Sequence, residues 1–221
     1  MNSRNVVICD FDGTITKVDS INDFLDRFAD KKWLDIEADW VAGKVSTCDA
    51  MRGQFDLVKN MTEEKLNAFF ESVEIDETFI DFRKFAAENN IKIVIVSDGF
   101  EYFIRRILEK YGINDIEIYS NHFEFNNGNF KMDFPNIKSD CVRHAGTCKC
   151  HFIKNFKNKY DTVFYIGDGP SDYCAADKVD FLFAKKRLLT YCKANDIPYN
   201  EYIDFNEVIN NVRIRLRLNN R

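Results

Sequence analysis

Residues 6–14 read VVICDFDGT. The run Val6-Val7-Ile8-Cys9 is apolar and partly β-branched, the pattern of a buried strand. It ends in two carboxylates, Asp10 and Asp12, with Phe11 between them and Gly13-Thr14 behind. Acids that close raise the cost of ionising both, so something positive must stand beside them. In an open α/β sheet the carboxyl end of a strand is where ligands bind. The stretch therefore predicts both a central strand and a polar site at its end.

Working outward, strand and helix signals alternate, which predicts an α/β fold with a mainly parallel sheet. IKIVIVS (91–97), TVFYIG (162–167) and DFLFAK (180–185) follow as further strands. None alternates strictly between apolar and polar, as expected of strands covered on both faces. NHFEFNNGNFKMDF (121–134) places Phe and polar residues in alternation around Asn127-Gly128, a two-residue hairpin signal.

Between the first two strands lies more helical sequence than one crossover needs. Ile21, Phe24, Leu25 and Phe28 form one apolar stripe, and Trp33, Ile36, Trp40 and Val41 another. Thr62, followed by Glu63 and Glu64, reads as an N-cap with acids in the first turn. We read residues 17–75 as an inserted helical cap, with residues 1–16 and 76–221 as the core. A helix over 77–88 then returns the chain to the sheet. The plainer alternative is a long helical connection on the same core.

The bulk properties narrow the function. The chain has 221 residues, 45% hydrophobic and 30% charged, which excludes a disordered chain. Its net charge of −5 argues against a nucleic-acid partner. The basic VRIRLRL near the end reads as the exposed face of a terminal helix or strand. No run approaches the ~18 apolar residues of a membrane span. With no signal-peptide core and seven scattered cysteines, the expected location is cytoplasmic with reduced thiols.

Chemistry-bearing residues gather at the predicted strand ends. The first strand delivers Asp10 and Asp12, the second Ser97, Asp98 and Gly99, the third Asp168 and Asp172 of GDGPSD. Lys149 precedes the helical HFIKNFKN. Converging carboxylates suit a hard cation such as Mg²⁺, commonly shared with a substrate phosphate. Lys149 balances phosphate charge, Gly13 and Gly99 let backbone amides approach it, and Thr14 and Ser97 add hydroxyls. A carboxylate nucleophile then divides phosphate-ester hydrolysis into two easier steps, while a second acid moves the proton.

DFDGT, VSDGF, Lys149 and GDGPSD, in this order, resemble the four motifs of the haloacid dehalogenase superfamily of phosphatases. The helical stretch after the first motif resembles the caps of its phosphoserine phosphatase-like branch. The resemblance runs from residue 6 to about 185. It implies a Rossmann-like core with an appended hairpin and an inserted cap, acting on a small phosphorylated metabolite. By position it implies Asp10 as nucleophile and Asp12 as general acid/base. Mg²⁺ would be held by Asp10, the carbonyl of Asp12, and Asp168, with Asp172 behind them. Ser97 and Lys149 would bind phosphate, joined on the substrate side by Thr14, Asp19, Asp98 and Gly99. Lys138, Lys154 and Lys157 compete with Lys149 for the lysine role.

CVRHAGTCKCHF (141–152) offers two readings. One is a zinc site of Cys141, His144 and Cys148; the other is small thiols packed beside the active site. The spacing fits no common zinc template. A cysteine pattern before the motif lysine also resembles phosphocholine and thiamine-monophosphate phosphatases.

For the substrate, a phosphoserine phosphatase is expected to carry a cap Glu and a cap Arg. Here Asp19 falls at the acidic position and Gln54 where the Arg belongs, with Arg52 two residues away. VSDGF, the hairpin, GTCKC and GQFDLV resemble instead the methionine-salvage members of the branch. Their leaving group is neutral and sulfur-bearing, and Trp40, Met51 and Phe55 are its candidate contacts. Two other outcomes share the aspartyl-phosphate chemistry: a phosphotransferase and a phospho-accepting regulator.

Overall fold

A computed structural model describes residues 4–126 and 128–218. Among the described residues the sheet has seven strands: β1 (Asn5–Cys9), β2 (Ile91–Phe100), β3 (Glu117–Asn126), β4 (Asn129–Asp133), β5 (Thr162–Gly167), β6 (Phe181–Ala184) and β7 (Asn200–Glu201). Their order is β4-β3-β2-β1-β5-β6-β7. Every pairing is parallel except β3 with β4, the hairpin that the Phe alternation announced. Phe125 faces Phe130 and Asn126 faces Asn129 across it. Asn127, half of the expected turn, lies outside the described residues. The two-residue β7 was not expected, since Asn200-Glu201 carries no strand signal.

The parallel strands split their side chains evenly between two buried layers. Val7, Cys9, Ile95, Phe164, Ile166 and Phe183 enter one apolar cluster. Val6, Ile8, Val94, Val96, Tyr165, Leu182 and Ala184 enter the other. Strands buried on both faces have no reason to alternate polarity, which is why they read as continuous apolar runs. Helices α5 (Thr78–Glu88), α6 (Glu101–Glu109) and α9 (Phe205–Arg215) contribute to the first layer. Helices α7 (Lys149–Lys157) and α8 (Lys186–Ala194) contribute to the second. The basic tail segment lies mostly on α9, as a terminal helix.

Between β1 and α5 stand α1 (Ser20–Phe28), α2 (Trp33–Val41), α3 (Thr47–Phe55) and α4 (Glu63–Ser72). The predicted caps form: the Asp19 side chain accepts from Asn22, and Thr62 from Lys65. The segment leaves and re-enters at one place. Thr16 bridges Ile75, the Lys17 amide donates to the Glu74 carbonyl at 3.0 Å, and the Asp76 amide to that of Ile15 at 2.8 Å. Its apolar side is continuous with the main core. Phe24 lies 5.3 Å from Phe103, and Phe55 lies 5.4 Å from Phe100 and 5.5 Å from Phe123.

β1 sits between β2 and β5, so the chain departs from it in both directions. That opens the crevice beyond its carboxyl end. β2 runs past the expected Ser97 to Phe100, but its register against β3 breaks between Val96 and Phe100. A glycine within a strand marks such an irregularity, and Gly99 lies inside this one. The break leaves Ser97, Asp98 and Gly99 on the wall of the crevice.

Candidate active site

Asp10 follows the last residue of β1, where its amide donates to the Ile166 carbonyl at 2.9 Å. Its Oδ1 accepts from the Phe11 amide at 2.8 Å. Its Oδ2 lies 3.0 Å from the ammonium of Lys149, the first residue of α7. Lys149 is 1% exposed and also reaches Ser171 at 2.9 Å and the Asp172 carboxylate. Burial alone would lower the Lys149 pKa. The charges of Asp10 and Asp172 outweigh burial and hold it above the ordinary lysine range. Of the competing lysines, this is the one the fold brings to Asp10. Burial, then repulsion by Asp172, pushes Asp10 well above the usual carboxylate range, against the opposing charge of Lys149.

Asp172 has no exposed surface. Its Oδ1 accepts from Tyr165 at 2.6 Å as well as from Lys149. Its Oδ2 accepts the amides of Asp168 at 2.9 Å and Gly169 at 3.0 Å. Gly167 is needed beneath it, because an added Cβ there would meet the Asp172 carboxylate. Asp168 takes Thr14 Oγ1 at 3.3 Å on Oδ1 and Lys186 Nζ at 3.1 Å on Oδ2. Burial and the charge of Asp172 raise its pKa, with Lys186 opposing.

Asp12 leaves the strand on the other side of Phe11. The amide of Ser20 donates to its Oδ1 at 3.0 Å, and the Ser20 hydroxyl donates to the same atom. Burial still raises its pKa against those bonds. Gly99 faces the second oxygen, since an added Cβ would stand 2.6 Å from Asp12 Oδ2. Two carboxylates one residue apart are thus held differently, Asp10 by a lysine and Asp12 by a serine. That is the asymmetry a nucleophile and a proton carrier require.

Asp10, Asp168 and Asp172 each offer an oxygen within 4.8 Å of the others. Such a donor set suits a hard cation. Asp172 has no exposed surface and lies behind the cavity, whereas Asp10 and Asp168 line it, so Asp172 braces the cluster and leaves the other two to face an ion. Among the described residues this is the only group of three or more Asp, Glu, His or Cys side chains close enough to share one. Cys141, His144 and Cys148, the residues of the zinc reading, do not form such a group. Cys141 and Cys148 pack with Ala145 in a small buried cluster. His144 closes a turn, its amide on the Cys141 carbonyl at 3.0 Å and its own φ at +48°.

A cavity of about 310 Å³ opens over these groups. Asp10, Asp12, Ser97, Asp98, Gly99 and Asp168 line its floor. Asp19, Ile21, Glu37, Trp40, Met51 and Gln54 come from the α1–α3 side, and Lys186 and Arg187 from beyond β6. Phe55, expected as a substrate contact, is 1% exposed and belongs to the aromatic core. Thr14 is fully buried behind Asp168. Asp19 caps α1 at the rim. Asp98 lines the cavity, but protein donors hold its carboxylate. Gln54, in the position expected of a cap arginine, donates to Glu37 Oε2 at 3.0 Å.

Several participants escaped the sequence reading. Ser20, Tyr165 and Ser171 are ordinary residues whose importance comes only from where they land. Lys186 carried a signal: it ends a Lys185-Lys186 pair directly after a strand. It adopts φ +48°, uncommon outside glycine, and reaches the Gly13 carbonyl at 2.8 Å as well as Asp168.

Residues 7–177 match the family model described as haloacid dehalogenase-like hydrolase. The 2-hydroxy-3-keto-5-methylthiopentenyl-1-phosphate phosphatase of Bacillus velezensis is 32% identical over 211 residues, covering 94% of this chain and 89% of that protein. The enzyme of that name from Bacillus cereus is 30% identical over 209 residues, covering 94% and 95%. Among solved structures, a substrate-bound phosphoserine phosphatase superposes with a TM-score of 0.73 at 19% identity, covering 96% of this chain and 99% of that one. A phospho-aspartyl intermediate analogue of phosphoserine phosphatase gives 0.71 at 18%, covering 95% and 99%. No helix among the described residues is long and apolar enough to cross a membrane. The motif order, the carboxylate cluster over β1 and these likenesses agree: the chain belongs to the haloacid dehalogenase-like hydrolases and is a phosphomonoesterase.

Proposed function

We propose that this enzyme hydrolyses 2-hydroxy-3-keto-5-methylthiopentenyl-1-phosphate, or an ester with the same neutral, sulfur-ended leaving group. The observation that carries the reading is the Glu37–Gln54 pair on the outer wall, beside Ile21, Trp40 and Met51. A substrate carboxylate placed there would meet a carboxylate, whereas phosphoserine calls for a cation. A keto or hydroxyl oxygen can share the Gln54 amide, and a methylthio end can lie against Trp40 and Met51. The curated relatives bear the name of the same ester.

In this reading residues 17–75 act as the cap that excludes water from the leaving group. Asp10 Oδ attacks phosphorus, and the P–O bond to the leaving oxygen breaks. Asp12 gives that oxygen its proton. Asp12 then takes a proton from water, which attacks the aspartyl-phosphate and returns Asp10 and inorganic phosphate. Lys149 steadies Asp10 and faces the phosphoryl oxygens with Ser97, whose hydroxyl oxygen accepts from the Gly99 amide at 3.0 Å. Asp10, the Asp12 carbonyl and Asp168 would hold Mg²⁺, which when bound would neutralise the charge that carboxylate and phosphate bring together. Asp172 and Thr14 keep Asp168 in place, and Asp19 stands at the mouth of the cavity.

The test is phosphate release from a panel comprising the methylthio ester, phosphoserine, phosphocholine, phosphoethanolamine and thiamine monophosphate. It is run with Mg²⁺, with EDTA and with Asp10→Asn. The expected result is Mg²⁺-dependent release, fastest from the methylthio ester and lost in the variant. A preference for phosphoserine would overturn the substrate, and release that survives Asp10→Asn would overturn the mechanism.

A further inference from the structure

Asp98 stands between two residues aimed at phosphate, yet its own carboxylate is taken up by the protein. It is 8% exposed. Oδ2 accepts from the Thr47 hydroxyl at 3.0 Å. Oδ1 accepts from the Thr147 amide at 2.8 Å and the Asn121 side-chain amide at 3.4 Å. Asn121 also donates to the Asp98 carbonyl at 2.6 Å and accepts from the Thr147 hydroxyl at 3.1 Å. Thr47, Asn121 and Thr147 are all buried. The network is tightly confined, since an added Cβ on Gly146 would stand 2.7 Å from Asn121 Oδ1.

Each arm leads to a part of the site. Thr47 opens α3, and its hydroxyl oxygen accepts from the Trp40 indole at 3.0 Å, so this arm fixes a side chain of the cavity wall. Thr147 lies two residues before Lys149, so the second arm fixes the segment that delivers the lysine to Asp10. A buried carboxylate needs such donors to stay charged, and a phosphate beside it would add repulsion.

We infer that Asp98 is a positioning residue. It registers the α3 end of the helical insertion and the Thr147–Lys149 segment against the phosphate-binding end of β2. It is not a contact to substrate. The inference rests on the phosphatase reading of Asp10 and Lys149, and it also makes a claim that needs no turnover.

The experiment compares Thr47→Val, Thr47→Ser and Asp98→Ala with the natural enzyme in two readouts. The first is kinetic, with the preferred ester. Thr47→Val removes both the hydrogen bond to charged Asp98 and the one from the Trp40 indole while keeping shape, so KM should rise roughly tenfold to hundredfold with kcat little changed. Thr47→Ser should restore KM. Asp98→Ala, which also frees the lysine segment, should lower kcat as well. The second readout is amide hydrogen exchange. Thr47→Val should speed exchange in the first turn of α3, and Asp98→Ala should do so there and at Thr147. Natural KM and exchange in Thr47→Val would overturn the inference, as would a Thr47→Ser enzyme as impaired as Thr47→Val. Should Asp98→Ala fail to fold, the two Thr47 variants decide alone. If the natural enzyme releases phosphate from no ester, the functional reading falls, while exchange still tests the network.

Discussion

Lys149 Nζ stands 3.0 Å from Asp10 Oδ2, and both side chains are almost wholly cut off from solvent. Taking two charges out of water is costly, and only close pairing with further hydrogen bonds offsets it. Lys149 has those bonds to Ser171 and Asp172. The pair therefore belongs to both the stability and the chemistry of the enzyme, and the two contributions separate by substitution.

Lys149→Met leaves Asp10 and Asp172 buried without their shared counter-charge, a loss of about 3–5 kcal/mol. Asp10→Asn leaves Lys149 paired with Asp172 and removes the proposed nucleophile. Phosphate release should fall by roughly four orders of magnitude in Asp10→Asn, with little change in the urea midpoint. In Lys149→Met both should fall. Urea denaturation and phosphate release on the same two preparations check the split.

Gly99→Ala places a methyl group 2.6 Å from Asp12 Oδ2 and 3.2 Å from Ser97 Oγ. Gly99 is not in the left-handed region, so the backbone tolerates the change and the carboxylate must move. In the proposed mechanism Asp12 carries the proton, and displacing it by ~1 Å costs about a hundredfold in rate. We expect a folded protein with kcat reduced to that degree, read from steady-state kinetics beside a thermal melt.

The pH dependence of stability has a definite sign. Asp10, Asp12 and Asp168 are all pushed above the ordinary carboxylate range, in each case first by burial. The metal-free folded state then binds more protons than the unfolded state above about pH 4, so stability falls as pH rises through that range. Mg²⁺ competes with protons for the same oxygens. In EDTA the melting temperature should drop from pH 5 to pH 8, less steeply in Asp168→Asn. Added Mg²⁺ should raise it more at pH 8 than at pH 5. An EDTA profile that climbs with pH would contradict the assignment.

Gln54→Arg restores the cation expected of a phosphoserine enzyme, but Glu37 lies 3.0 Å from the Gln54 side chain. The new guanidinium should pair with Glu37 and gain little for phosphoserine. Gln54→Arg with Glu37→Gln frees it. The double variant should raise kcat/KM for phosphoserine by about tenfold or more over either single change, the worth of one unshared charged hydrogen bond.

Cys141→Ala and Cys148→Ala remove small buried thiols that line no part of the cavity, so each should cost about 1 kcal/mol of stability and leave phosphate release largely intact. Elemental analysis should find no stoichiometric zinc. Zinc that follows the two cysteines would support the zinc reading.

Much of this was legible along the chain. VVIC, IKIVIVS and TVFYIG are strands because β-branched runs of that length bury well between two helical layers, and the Phe alternation of 121–134 fits only a hairpin. The carboxylates Asp10, Asp12, Asp168 and Asp172 were readable because each follows a strand at its carboxyl end. The extension of β2 to Phe100 was hidden by the break that Gly99 creates. His144 could not be placed because its turn is set by the packing of Cys141 and Cys148.

What the chain alone determined is the pattern of buried strands and the acids that end them, since both depend on local spacing. What only the tertiary structure decided is which groups each acid meets. Asp98 is adjacent to Ser97 in sequence, yet its partners lie 51, 49 and 23 residues away. Hydrogen bonding and charge act over a few ångströms of space, so a carboxylate one residue from the cavity-lining Ser97 is held by protein donors.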